Sequence, residues 1–98
     1  MSDKLATLNQ AKAAVMLLEE ALTTGLPMPF DISVTAHSPL RLMFDTRGEV
    51  DAWAVWIVDG TSHDNHAESG DVHHRFDGVV FDILVRLVAV EPAPVAVA

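Results

Sequence analysis

The chain has 98 residues, half of them hydrophobic, no cysteine and a formal net charge of −8. This length fits one domain with a modest core, and so large an apolar share excludes a disordered chain. The missing cysteines exclude disulfides, thiolate zinc sites and a cysteine nucleophile, and the acidity speaks against direct nucleic-acid binding, which takes clustered Lys and Arg.

Asp3 to Thr24 reads as one helix, with Ser2 or Asp3 as its N-cap. Leu8, Ala11, Val15, Leu18 and Leu22 recur at three- and four-residue spacing and predict the face that lies on a sheet. Met16 and Leu17 fall off that stripe; they either widen the core face or form an exposed apolar patch for a partner. Gly25 ends the helix as a left-handed residue, and Pro27 and Pro29 prevent a restart. The N-terminal segment lacks the basic-then-apolar pattern of a signal peptide. No apolar run approaches the roughly 20 residues of a membrane span; Val79 to Val90 is interrupted by Asp82 and Arg86. The expectation is a cytoplasmic protein with no membrane partner.

Phe30 to His37 alternates, with Phe30, Ile32, Val34 and Ala36 inward. Ser38-Pro39 turns the chain, and Leu40 to Asp45 alternates again with Leu40, Leu42 and Phe44 inward, which makes a hairpin. Thr46 to Val58 reads as a second helix. Thr46 and Glu49 have capping-box spacing, and Val50, Trp53, Ala54 and Ile57 form its buried stripe. Trp56 falls on a different face: either it is partly exposed and anchors an interface, or it packs under the Leu26–Pro29 segment or against the first helix.

Asp71 to Val90 holds the longest apolar run. Asp77-Gly78 lies between two strand-like segments and predicts a two-residue type I′ turn. Phe76 then faces Val79, His74 faces Phe81 and His73 faces Asp82. Val72, His74, Phe76, Val79, Phe81, Ile83, Val85, Leu87 and Ala89 share the core face. His73, Arg75, Val80, Asp82, Leu84, Arg86, Val88 and Val90 share the outer one. A second two-residue turn at Ser69-Gly70 sets His66 opposite His73 and Asp64 opposite Arg75 as an ion pair. Residues 91–98 read as a flexible Pro/Ala tail beyond a single domain of residues 1–90. The predicted order is α-β-β-α-β-β-β, an α+β fold with an antiparallel sheet and both helices on one face.

Leu26, Pro27, Pro29, Phe30 and Asp31, then Phe44, Asp45 and Thr46, then Ala52, Trp53, Ala54 and Trp56 compose a pattern Leu-Pro-x-Pro-Phe-Asp, Phe-Asp-Thr, Ala-Trp-Ala-x-Trp. It covers about a third of the chain and resembles a group of small uncharacterised proteins of actinobacteria and their phages. The resemblance implies an accessory gene of a phage or of its high-GC host. It carries no activity and no catalytic residue.

No catalytic motif is present: there is no G-x-S-x-G, no phosphate-binding loop and no GxGxxG. The acidic residues are scattered, several at caps and turns, so the chain reads as non-enzymatic and without a cofactor. The expected function is a small protein-interaction domain, either self-associating or modulating a host protein, with Trp56, Leu84, Val88, Val90 and Leu17 as binding residues. The simplest partner is a second copy docked through the open sheet face. One alternative is an acidic nucleic-acid mimic, which would gather Asp45, Glu49, Asp51, Asp59, Asp64 and Asp71 on one face. The other is a metal site of His66, His73 and Asp82, two imidazoles and a carboxylate in one cross-strand row. His74, opposite a core residue, reads as a hydrogen-bonded, half-buried histidine rather than a ligand.

Overall fold

A computed structural model describes residues 3–57 and 59–92. The elements are α1 (Asp3–Thr24), β1 (Asp31–Ser33), β2 (Leu40–Phe44), α2 (Arg47–Trp56), β3 (Thr61–His66), β4 (Val72–Val80) and β5 (Ile83–Glu91). Five strands form one sheet in the order β1-β2-β5-β4-β3. The fold is α+β with the expected element order. The sheet is mixed rather than antiparallel throughout, because β2 pairs in parallel with β5. The chain leaves the end of β2 through α2 and returns through the β3–β4–β5 meander, and this long connection is what a parallel neighbour needs. The second helix ends at Trp56, with Ile57 as its extended C-cap rather than a helical residue, and Glu91, expected in the tail, is the last residue of β5, paired with Val72; residue 58 and the tail from residue 93 onward lie outside the described residues.

Both helices cover one sheet face. Leu40, Leu42 and Phe44 of β2, Phe76 of β4, and Val85, Leu87 and Ala89 of β5 alternate into the core against Leu17 of α1 and Val50, Trp53 and Ile57 beside α2. Trp53 is the centre of this packing. It is fully buried, its ring lies 5.9 Å from Phe44 and 5.8 Å from Trp56, and its Nε1–H donates to the Pro27 carbonyl at 2.7 Å. A buried indole needs such an acceptor. Thr46 and Glu49 close the capping box that starts α2. Gly25, at φ 78°, and Leu26 both donate to the Ala21 carbonyl and end α1 as expected.

The buried face of α1 is not the leucine stripe. Gln10, Ala13, Ala14, Leu17 and Ala21 face the sheet, while Leu8, Val15 and Leu22 are 49%, 55% and 74% exposed. Gln10 accounts for this rotation. Its Nε2–H donates to the Ser38 carbonyl at 2.5 Å and its Oε1 accepts from the Thr35 N–H at 2.9 Å. Meeting both groups of the 34–39 loop turns residue 10 inward, and Leu17, one helical face along, goes with it. Leu17 is therefore core and not a binding residue.

Both predicted turns in the C-terminal half are corrected. Asp77-Gly78 lies within β4, opposite Arg86 and Val85, and β4 turns into β5 at Phe81-Asp82. Phe81 and Asp82 have φ values of 53° and 61°, the positive pair that a two-residue I′ turn requires. Gly78 serves packing instead: a Cβ there would lie 2.8 Å from Ile57 Cγ2. Moving the turn by four residues keeps the register parity. His74, Phe76, Val85, Leu87 and Ala89 stay on the core face, whereas Val79 and Phe81 are exposed. The preceding loop spans residues 67–71, with Gly70 at φ 91° donating to Ala67 and the Ala67 N–H donating to Asp71. This longer loop slips β3 by one residue, so His66 pairs with Val72 and Asp64 with His74.

Candidate binding face

The far side of the sheet has no helix on it. Its residues align across the strands in two rows. Ser33, Arg41, Arg86, Asp77 and Thr61 are successive partners from β1 to β3, and Asp31, Met43, Val88, Arg75 and His63 form the next row. Leu84 is 61% exposed and Val90 37% exposed on this face, and Val88 is half-buried between them. These three of the expected binding residues are brought together. Trp56 is not among them: it is half-buried on the helix side, edge-on to Trp53.

Three arginines, Arg41, Arg75 and Arg86, occupy the face of a chain that has six cationic residues in all. Arg86 donates to Asp77 at 2.8 Å. Arg75 Nε lies 3.2 Å from the other Asp77 oxygen but has no hydrogen-bond partner. Arg41 donates to the Ser33 hydroxyl at 3.2 Å, and among the described residues no carboxylate pairs with it. Ser33, Thr35, Ser38, Pro39, Arg41 and Arg86 line a cleft of about 280 Å³. Its hydroxyl-bearing wall is the loop that Gln10 holds at both ends. The cleft thus pairs cationic forks, which match a carboxylate or phosphate bidentately, with hydroxyl donors on a fixed loop. Sequence reasoning missed this group, because Arg41 and Arg86 become neighbours only through the parallel pairing of β2 with β5.

The histidine row expected for metal does not form. His66 points with Val72 toward the helix side, His73 aligns with Asn65 and Val90 on the other side, and Asp82 sits in the β4–β5 turn. No group of three His, Cys, Asp or Glu that could hold a metal ion exists among the described residues. The expected Asp64–Arg75 pair is replaced by a different chain of contacts. His74, 6% exposed, lies between Asp64 and Glu91, each 2.8 Å from one ring nitrogen, and Asp64 also accepts from Arg47 at 3.2 Å. Both contacts are hydrogen bonds at once only when both ring nitrogens carry hydrogen, or when one carboxyl does. Neither nitrogen is left to act as a base or a ligand, so His74 ties β3, β4 and β5 together. Hydrogen bonding by His74, then the Arg47 charge, hold the Asp64 carboxyl below its ordinary range. Of the acidic residues a nucleic-acid mimic would use, Glu49 closes the α2 cap and Asp51 and Asp64 both pair with Arg47.

Comparison of the chain with known protein families, curated proteins and solved structures returned no match. Among the described residues, no helix is long and apolar enough to cross a membrane.

Proposed function

We propose that this chain is a small non-enzymatic interaction domain whose uncovered sheet face takes an acidic, partly apolar segment of a protein partner. The observation that carries the reading is the face itself: Leu84, Val88 and Val90 beside Arg41, Arg75 and Arg86, against Asp31 and Asp77 among the strand-paired residues of this face, on a chain of net charge −8. Apolar side chains left uncovered next to fixed charges mark a docking surface. Salt screens the distant carboxylates over about 8 Å, so the local arginines decide what binds here. With three arginines and two aspartates at its strand-paired positions, the face favours an acidic partner over a second copy of itself. In the accessory-gene setting that the sequence resemblance implies, that partner is a host protein.

The test is affinity capture from the host with wild type, Arg41→Glu with Leu84→Ser, and Trp56→Ala, followed by titration of each purified captured protein. A partner that binds wild type and Trp56→Ala equally but loses the sheet variant supports the reading. A partner that depends on Trp56, or that ignores the sheet substitutions, overturns it.

A further inference from the structure

We infer that α1 is the interface of a homodimer, in which two copies pair their helices antiparallel. This rests on a different surface from the sheet and stands or falls separately. Of the twelve large hydrophobic residues exposed in the described chain, α1 alone contributes five: Leu5, Leu8, Val15, Met16 and Leu22. They lie opposite the buried Ala13, Ala14, Leu17 and Ala21. Positions 5, 8, 12, 15, 19 and 22 alternate in steps of three and four, which is the seam spacing of two paired helices. The seam runs the ~33 Å length of a 22-residue helix.

Its two charged members decide the occupant and its direction. Lys12 and Glu19 are both exposed on this stripe. A parallel copy would bring Lys12 onto Lys12 and Glu19 onto Glu19 at the centre of an apolar interface, where unpaired like charges are costly. An antiparallel copy, related by a two-fold axis passing beside Val15 and Met16, sets Lys12 of each chain against Glu19 of the other. Val15 then meets the partner's Met16 at the axis, and Leu8 and Leu22 cover the ends. A polar pair within an otherwise apolar seam is the usual device for fixing register and orientation.

A second feature points the same way. Phe81 is held at φ 53° and is 45% exposed. Its ring borders a hollow shared with Asn9, Lys12 and Met16. Phe81 extends the α1 stripe sideways toward the ~800 Å² per partner that a standard interface covers. A single helix pair with this flank should dissociate in the micromolar range.

Sedimentation equilibrium of the whole chain tests the inference, with wild type, Lys12→Glu, Glu19→Lys, the double reversal and Val15→Asp compared. All three positions of substitution are exposed, so circular dichroism should report one fold throughout. The expected result is a wild-type dimer, weakened roughly tenfold or more by either single reversal, restored by the double, and abolished by Val15→Asp. Arg41→Glu with Leu84→Ser should leave the dimer unchanged. A wild-type chain that stays monomeric up to sub-millimolar concentration overturns the inference, as does a dimer that responds to the sheet variant and not to Lys12→Glu. Neither result touches partner capture by the sheet, which is read in the separate titration.

Discussion

Gly78→Ala distinguishes the packing role of this glycine from the turn role its sequence suggests. The added Cβ would lie 2.8 Å from Ile57 Cγ2 and 3.3 Å from Phe76 Cε1, against ~3.5–4.0 Å for comfortable carbon contact. Ile57 and Phe76 are 4% and 5% exposed, so neither can move aside into solvent. Overpacking of this kind costs about 1–3 kcal/mol. At ~4–8 °C per kcal/mol for a domain of this size, the melting temperature should fall by about 5–20 °C. The clash is chiefly with the Cγ2 branch of Ile57, and Ile57→Leu removes that branch at a cost of its own below about 1.5 kcal/mol. In the double variant the two costs should not add; a coupling of about 0.5–2 kcal/mol in favour of the pair is expected. Denaturant unfolding of the four proteins measures it. A glycine kept for positive φ would be damaged by alanine whatever stands at residue 57, so strict additivity, or a Gly78→Ala chain as stable as wild type, refutes the register described here.

Three further outcomes follow from particular contacts. Gln10→Leu removes both hydrogen bonds to the 34–39 loop and should cost about 1–3 kcal/mol, with faster amide exchange at Thr35 as the local readout; unchanged exchange there would remove Gln10 as the latch. Trp53→Phe loses the bond to Pro27 and part of the ring volume, and should lower stability by about 2–4 kcal/mol in chemical unfolding. Asp64 has a folded pKa below its ordinary 3.8, so its stabilising contribution is complete above that pH and is lost as pH falls through the folded value. The stability gap between wild type and Asp64→Asn should therefore close as pH falls through the carboxylate range, and a gap that stays fully open in strong acid contradicts the Asp64–His74 contact.

The local signals were legible wherever one residue had one structural task. The capping box at Thr46 and Glu49, the left-handed Gly25 and the alternation of Leu40, Leu42 and Phe44 all depend on neighbours a few positions away, and each is found as read. The errors fall where a familiar signal served a distant contact. Asp77-Gly78 has the composition of a turn, yet Asp77 pairs with Arg86 on one face and Gly78 makes room for Ile57 on the other. The true turn, Phe81-Asp82, lacks glycine and shows no local signal. The leucine stripe of α1 is the more apolar face and so predicts the core, whereas a glutamine, three alanines and Leu17 lie on the sheet. The binding face was half visible: period-two alternation put Leu84, Val88 and Val90 together, but the parallel β2–β5 pairing that joins Arg41 to Arg86 is a long-range choice with no signature in either strand.

The two proposed surfaces lie on opposite sides of the molecule, and this has a consequence for how they would work together. The α1 seam faces away from the sheet, whose far side carries the arginines. A two-fold dimer through α1 would bury the helices at its centre and hold two identical arginine-lined faces outward. Each face alone offers a limited apolar strip, and its charges are partly neutralised by Asp77. Affinity for one acidic segment should accordingly be modest. Two faces on one rigid body turn the second contact into an intramolecular one, and a repeated or oligomeric partner would be held ~10²–10⁴ times more tightly than a single segment. Lys12→Glu would then weaken capture of a multivalent partner while leaving the affinity for an isolated segment intact, although residue 12 is on the far side of the sheet from the bound chain. Equal loss for both kinds of partner would mean that α1 supports the sheet face directly rather than by pairing two copies of it.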